Sequence, residues 1–482
     1  MHLSTDKSDY FGRQRVDSIG PPAKPLIGGR LDHPQSPRYS RDFKYGKHDH
    51  LIGHIPVRLH FPDVHSKKLI SIVSSRIGKN TDQKANWFDA IRTLAVQLQN
   101  ENLCILTAPG TTTYPYLCRI SELFGLTLLS LTSLSSNSPT SRSAGKQKNS
   151  SHNFPNAIIL NAFYDWQDTT ESAATHTPNI DQLIIDISQD CFVISCRKKG
   201  LVHDGLNHRL QKTNTKITRL LVDRKLTPPS VESELTSQGA VPWRLYKLRK
   251  SRQRITASKN RCSPSTHQAK TQNRTPGTAI EQLAGRRFLI HWTRQSTGPW
   301  PDQSYSQFLD DLIFNSPTRG EGALSPLKRI LGQQKIHGTN TLTKSQERVI
   351  CFTAVPPFQY ADRRIFRPHL SRWDFEHYGI AFDCELLKKL GARPVNYGTK
   401  SDWTNLSSPD RPFFQMQNSK TSGIDWREEQ EWRLRGDLDL KKIPPQLASV
   451  FVNTDSEREA LKDHSRWPVV SVKDLENLNL LS

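Results

Sequence analysis

The chain has 482 residues, 35% hydrophobic and 23% charged, with 30 prolines and a formal net charge of +21. At ~150 residues per domain this excludes one small module and favours folded domains joined by long solvated segments. No apolar run approaches the ~18–20 residues of a membrane span, and the polar start Met1–Lys7 lacks the apolar core of a secretory signal, so no membrane attachment is expected. The seven cysteines form no C-x-x-C pair and are odd in number, which disfavours a disulfide framework and points to a reducing cytoplasm.

Residues 1–55 are rich in Ser, Pro, Arg, His and Asp without periodicity and read as a disordered tail. From Leu69 the texture changes. Leu69–Val73, Leu103–Thr107 and Leu126–Leu131 are continuous apolar strands. Between them, Trp87, Phe88, Ile91, Leu94, Ala95 and Leu98 mark one helical face, and Tyr114, Leu117, Ile120 and Phe124 mark another, stopped by Gly125. The segment 132–153 reads as a mobile Ser/Asn-rich insertion. The rhythm resumes with Ala157–Leu160, a helix through Ile180, Leu183, Ile184 and Ile187, the strand Cys191–Cys196, and a helix over 201–211. This predicts an α/β Rossmann-like domain at 56–245, with a parallel sheet covered on both faces.

From Arg244 to Arg274 there are ten Lys/Arg and no Asp or Glu, so 246–286 reads as a basic disordered linker with possible weak nucleic-acid contact through 244–274. A separate α+β domain with a mixed or antiparallel sheet is expected over 287–482. Its strands are read at Phe288–His291, Val349–Thr353, Tyr378–Asp383, Pro394–Tyr397, Glu429–Leu434 and Leu447–Asn453.

In an open parallel sheet, ligands collect at the carboxyl ends of the strands. Those ends carry Ser75, Arg76 and Gly78, then Gly110, Thr111, Thr112 and Thr113, with Arg197–Gly200 at a later strand. Gly110 permits close backbone approach, the threonines offer hydroxyls and N-cap chemistry, and Arg76 is a fixed cation. Together they suit a nucleotide phosphate; the alternative is a plain turn and helix cap. Neither G-x-G-x-x-G nor a P-loop is present. The order strand–Ser-Ser-Arg-x-Gly, then strand–Ala-x-Gly-Thr-Thr-Thr–helix, resembles the Rossmann-like nucleotide-sensing domains related to lysine-decarboxylase-like and DNA-processing proteins, over roughly residues 66–210. That resemblance implies phosphate and ribose binding at these two turns, and sensing of a nucleotide ligand rather than catalysis. The family's Gly-Gly-rich second turn is represented only by Pro109-Gly110.

In the last third, Glu429, Glu431 and Arg433 would share one face of a strand, with Trp432 on the other. An Arg/Glu ladder on an exposed edge strand is the plain alternative. Ile350–Thr353, Tyr378–Phe382, Ala392–Tyr397 and the run W-x-x-E-x-E-W-R at Trp426–Arg433 resemble, in that order, the abortive-infection-type family of bacterial phage-defence proteins, over about 287–473. A deeper likeness is to the ADP-ribosyltransferase fold. It implies NAD as substrate, transfer of ADP-ribose or hydrolysis of NAD, and Glu431 as the charge-stabilising carboxylate with Glu429 orienting the acceptor. It further implies that Arg433 keeps the pair ionised, His291 binds the ribose, and Tyr360, Phe358 or Tyr378 stacks on nicotinamide. His369, Asp374 and His377 follow no standard zinc spacing, and no metal site is expected. A non-enzymatic basic protein that contacts nucleic acid is the alternative.

Overall fold

A computed structural model describes residues 45–133, 154–166, 179–245, 287–355, 366–416 and 426–472, with short breaks inside these ranges. The tail before residue 45, the insertion from 134 to 153 and the linker 246–286 lie outside the described residues.

Apolar runs build the first sheet. Its strands are β1 (Tyr45–Ile52), β2 (Ile55–Pro62), β3 (Lys68–Ser74), β4 (Leu103–Thr107), β5 (Thr127–Ser133), β6 (Ile158–Trp166), β7 (Asp190–Ser195), β8 (Ile217–Leu221) and β9 (Val241–Trp243). Their spatial order is β1-β2-β6-β5-β4-β3-β7-β8-β9. From β6 to β9 all neighbours are parallel, while β1, β2 and β6 pair antiparallel. Every residue of β4 and β7 is buried, as expected where helices cover both faces.

Among the described residues, the helices that accompany these strands are α1 (Ala85–Leu98), α2 (Tyr114–Phe124), α3 (Ile180–Ile187), α4 (Leu201–Gln211) and α5 (Pro229–Ser237). The apolar face of α1 is buried as its periodicity dictates, and Gly125 closes α2 at φ 69°, its N–H donating to Ser121 O. One core lies under α1 and α2; the other lies between the sheet and α3, α4 and α5. Each fully buried Leu, Ile or Phe in them contributes ~1.5–3 kcal/mol relative to exposure.

The expected disordered tail ends too late, because Tyr45–Ile52 form β1. Its partner β2 is fixed by the alternating residues Val57, Leu59 and Phe61, all buried, and that gives β1 an edge to pair with.

A second sheet runs in the order 393–394, 431–435, 349–353, 288–292, 379–383, 448–452, 469–471. All of its pairs are antiparallel except the last, which is parallel, so the sheet is mixed. Leu289, Ile350, Phe352, Ile380, Phe382, Leu434 and Val450 fill one face; Ile290, Ala381 and Phe451 cluster on the other.

One helix from this later stretch, α6 (Tyr305–Ile313), does not pack where its sequence position suggests. Phe308, Leu309, Leu312 and Ile313 join the core under α1 and α2. The expectation that everything after residue 287 belongs with the second sheet is therefore corrected. An amphipathic helix with a capping box (Ser304 and Gln307) needs an apolar partner, and the first sheet supplies it. The contiguous unit runs from Tyr45 to Ser482.

Candidate functional site

From β3 the chain winds outward to β4 on one side, whereas β7, the other neighbour of β3, leads outward to β8. The carboxyl ends of β3 and β7 therefore flank a topological switch point, where open α/β sheets form a crevice. The two ends are sewn together. Ser75 N donates to Ser195 O (2.9 Å), Arg197 N donates to Ser75 Oγ (3.0 Å), and the Ser74 and Ser195 hydroxyls lie 2.9 Å apart. Trp87 Nε1 of α1 donates to Ser74 Oγ (2.8 Å), so the first helix is bonded to the same knot.

Arg76 and Arg197 leave these adjacent strand ends as exposed side chains, and neither is held by an ion pair among the described residues. Burial pushes the Asp181 carboxyl, in the first turn of α3, above its usual range, against the opposing pull of Arg76. Gly78 and Gly110 take φ values of +80° and +91°, which a side chain would strain.

The structure thus brings Ser75, Arg76 and Gly78 together with Gly110–Thr113 at neighbouring strand ends. The threonines do less than their sequence suggests. Thr111 Oγ1 donates to Ala108 O (2.8 Å) and Thr113 Oγ1 to Ile72 O (2.9 Å), so Thr113 stands at the N-cap of α2 without capping it. Thr112 is half-buried. Helices α1, α2, α4 and α5, which follow β3, β4, β7 and β8, all start without a side-chain cap, whereas α3 has a full Asn179–Gln182 capping box. Uncapped starts leave backbone N–H donors, and their positive dipole ends, at one edge of the sheet.

At the second sheet the expected site does not assemble. The strand begins at Glu431, not Glu429: Trp426–Glu429 is a 3₁₀ turn, and Gln430 at φ 43° breaks the alternation. Glu429 is therefore not on a strand face with Glu431, and its backbone carbonyl accepts from Thr353 Oγ1 (2.6 Å). Nor is the strand an edge, since it pairs with 349–353 on one side and 393–394 on the other. Arg433 is 1% exposed and uses its whole guanidinium. It makes a bidentate pair with Glu431 (2.9 and 3.2 Å) and donates to Pro412 O, Phe414 O and Gln415 Oε1.

The register sets His291 in the row of Phe352 and Trp432, and Glu431 in the row of Ile290 and Thr353. Successive rows face opposite sides of a sheet, so His291 and Glu431 do not share a face. The His291 ring lies edge-on to Phe352, its Nδ1 is 3.0 Å from Cys351 O, and burial holds its pKa down. Tyr378 donates its hydroxyl to Glu457 (2.9 Å). Tyr360, Phe358, His369 and Asp374 lie outside the described residues.

Two groups beside Glu431, Cys351 and Tyr397, are not among the site residues expected from the sequence, although both lie in its short motifs. Burial, then the Glu431 charge, pushes the Cys351 thiol up to about 12. The Tyr397 hydroxyl is buried and is raised by the same two influences.

No protein-family model matches the chain, and no curated protein does. Similar solved structures include DNA processing protein A from Streptococcus pneumoniae (12% identity, TM-score 0.26, 39% of this chain and 62% of that one). Another is DNA processing protein A from Helicobacter pylori, described for its single-stranded DNA binding mode (13%, 0.27, 42% and 91%). A third is the molybdenum cofactor carrier protein from Chlamydomonas reinhardtii (13%, 0.23, 37% and 90%). Among the described residues no helix is long and apolar enough to cross a membrane.

Proposed function

We propose that the first sheet binds the phosphate of a nucleotide in the β3–β7 crevice and serves as a ligand sensor. One observation carries this reading. At the switch point, two exposed arginines, Arg76 and Arg197, leave strand ends locked together through Ser75, beside helix starts that no side chain caps. Permanent cations and N–H donors at one edge are what an anion requires. The ligand state would reach the second sheet through α6, which packs on α1 and α2 and follows the 288–292 strand in the chain. A reducing compartment suits the six described cysteines, all free.

Calorimetry on the full chain with AMP, ADP-ribose and NAD tests this. A charge-assisted bond to phosphate is worth ~1.5–3 kcal/mol, so Arg76→Ala is expected to weaken binding by roughly 10- to 100-fold. Binding indifferent to that substitution, or none below millimolar concentration, would overturn the proposal.

A further inference from the structure

Two strands away from the crevice, the same sheet edge holds a cavity of about 420 Å³. It lies at the carboxyl ends of β8 and β9, lined by Leu221, Val222 and Leu245 and by the charged residues Asp223, Arg224, Glu232 and Arg244. Its size falls in the range of small-ligand sites. Its charges are unusual in being unspent: Arg224, Arg244 and Glu232 form no ion pair or side-chain hydrogen bond among the described residues, whereas Asp223 accepts from Asn86 Nδ2 (2.7 Å) and Lys225 N (2.8 Å).

The cavity is also tied by hydrogen bonds to elements that flank the crevice. Cys196 N, just past β7, donates to Thr227 Oγ1 (3.1 Å) in the loop that follows Asp223 and Arg224. Asn86, which holds Asp223, sits in the first turn of α1 and so on the far side of the β3 turn. At ~4.8 Å per strand, the two places are ~10 Å apart along the edge.

From this juxtaposition we infer that the ligand carries two separate phosphoryl groups joined through ribose, a dinucleotide rather than a mononucleotide. One phosphate sits in the β3–β7 crevice, and this rests on the reading given above. The second sits on Arg224 and Arg244, with Glu232 accepting from ribose hydroxyls. Two guanidiniums without a partner among the described residues suit a phosphate better than an uncharged base, and the partly buried Leu245 offers apolar surface to one nucleoside.

The test is calorimetry on the full chain with AMP, the 5′-phosphorylated dinucleotide pApA and a ten-residue single-stranded oligonucleotide. The expected result is that pApA binds at least 10-fold more tightly than AMP, and that Arg224→Ala/Arg244→Ala erases the gain so that the two ligands bind alike. Both arginines are exposed, so the variant is expected to melt with wild type. Lys225→Ala, an exposed neighbour outside the cavity lining, is expected to leave the gain intact. If AMP binds and pApA gains nothing, or the gain survives the double substitution, this inference falls and the crevice reading stands. If neither ligand binds, both fall. An oligonucleotide that outbinds pApA through the same two arginines would overturn the assignment to a bounded dinucleotide.

Discussion

Arg119 of α2 donates two parallel hydrogen bonds to Asp310 of α6, from Nε at 2.7 Å and from Nη2 at 2.8 Å, residues 191 positions apart in the chain. Its remaining Nη1 holds Glu122 at 2.7 Å. Close by, Arg92 Nη1 donates to Ile313 O and Asn315 Nδ2 to Asp89 Oδ1. A planar guanidinium facing a carboxylate fixes the angle of approach as well as the distance. The polar stitch therefore sets the rotation of α6 over an apolar contact that would otherwise tolerate sliding.

The first prediction follows from that stitch. Asp310→Ala should destabilise the chain by ~1–2 kcal/mol, the charge-assisted value reduced because the two side chains keep 19% and 29% of their exposure. Asp310→Asn keeps an acceptor and should lose less. Denaturant unfolding measures both. If Asp310→Ala unfolds at the wild-type midpoint, α6 is held by its apolar face alone.

The second prediction concerns a buried cation. Arg209 is 3% exposed and donates to Thr218 Oγ1 and to the carbonyls of Ile185, Ser188, Gln189 and Ile217. It ties the end of α3 and the turn before β7 to the start of β8. Burial holds its pKa down, yet it stays a cation because guanidinium is so weak an acid. Arg209→Leu removes every one of these charge-assisted bonds; Gln189 O keeps Ile217 N and Ile185 O keeps the Ser188 hydroxyl, but at ~1.5–3 kcal/mol per bond to a charged group a loss of at least ~3 kcal/mol is expected. A thermal melt within a degree or two of wild type would show that water replaces the guanidinium without penalty.

These two arginines mark the boundary of what the sequence discloses. Continuous apolar runs announced β3, β4, β5 and β7, and the 3.6-residue stripe announced α1, because burial on both faces leaves its trace in local composition. The strand Val349–Thr353 and the helix 201–211 were legible on the same ground. Arg209 and Arg433 look like surface cations in the sequence. Only the tertiary fold brings them the carbonyls that make their burial tolerable. Similarly, β8, α5 and β9 are short and only partly apolar, so the sequence reading of the 56–245 domain names no element there, and the cavity they enclose left no motif. At the candidate site the turns at Ser75–Gly78 and Gly110–Thr113 were readable. Their locking to Arg197 through Ser75 was not, since it joins positions 122 apart.

The third prediction is a pH dependence. His291 is held below its ordinary value of 6.5 by burial, and the nearby positive Arg294 adds to that, while its bond to Cys351 O opposes it. The native state therefore keeps the ring neutral where the unfolded chain has begun to bind a proton. Stability follows the difference in bound protons, so this contribution is fully present above about pH 6.5 and is lost as pH falls through and below it. One proton gives a slope of at most ~1.4 kcal/mol per pH unit. Comparing unfolding of wild type and His291→Phe between pH 7.5 and 5 isolates it. The variant should be less sensitive to acid; parallel curves would mean the ring is free to ionise in the fold.

The last prediction separates two roles for Glu431. Both of its carboxylate oxygens accept from Arg433, and Arg433 in turn holds the carbonyls of Pro412 and Phe414, so the pair anchors the 412–415 segment to the sheet. Removing one member of a buried pair strands the other, at ~3–5 kcal/mol. Arg433→Met should therefore be severely destabilising. Glu431→Gln keeps one acceptor oxygen and should lose less, with Cys351 no longer held up by the neighbouring charge and so more reactive to a thiol probe. The structural role predicts that destabilisation tracks the number of hydrogen bonds lost. A reacting carboxylate predicts something different: Glu431→Gln melting close to wild type while any NAD consumption falls by ~10²–10³. Melting curves of both variants, with NAD loss followed in the same preparations, decide between them. We expect the stability effect, because a carboxylate bound at both oxygens by a fully engaged guanidinium is already committed to the fold.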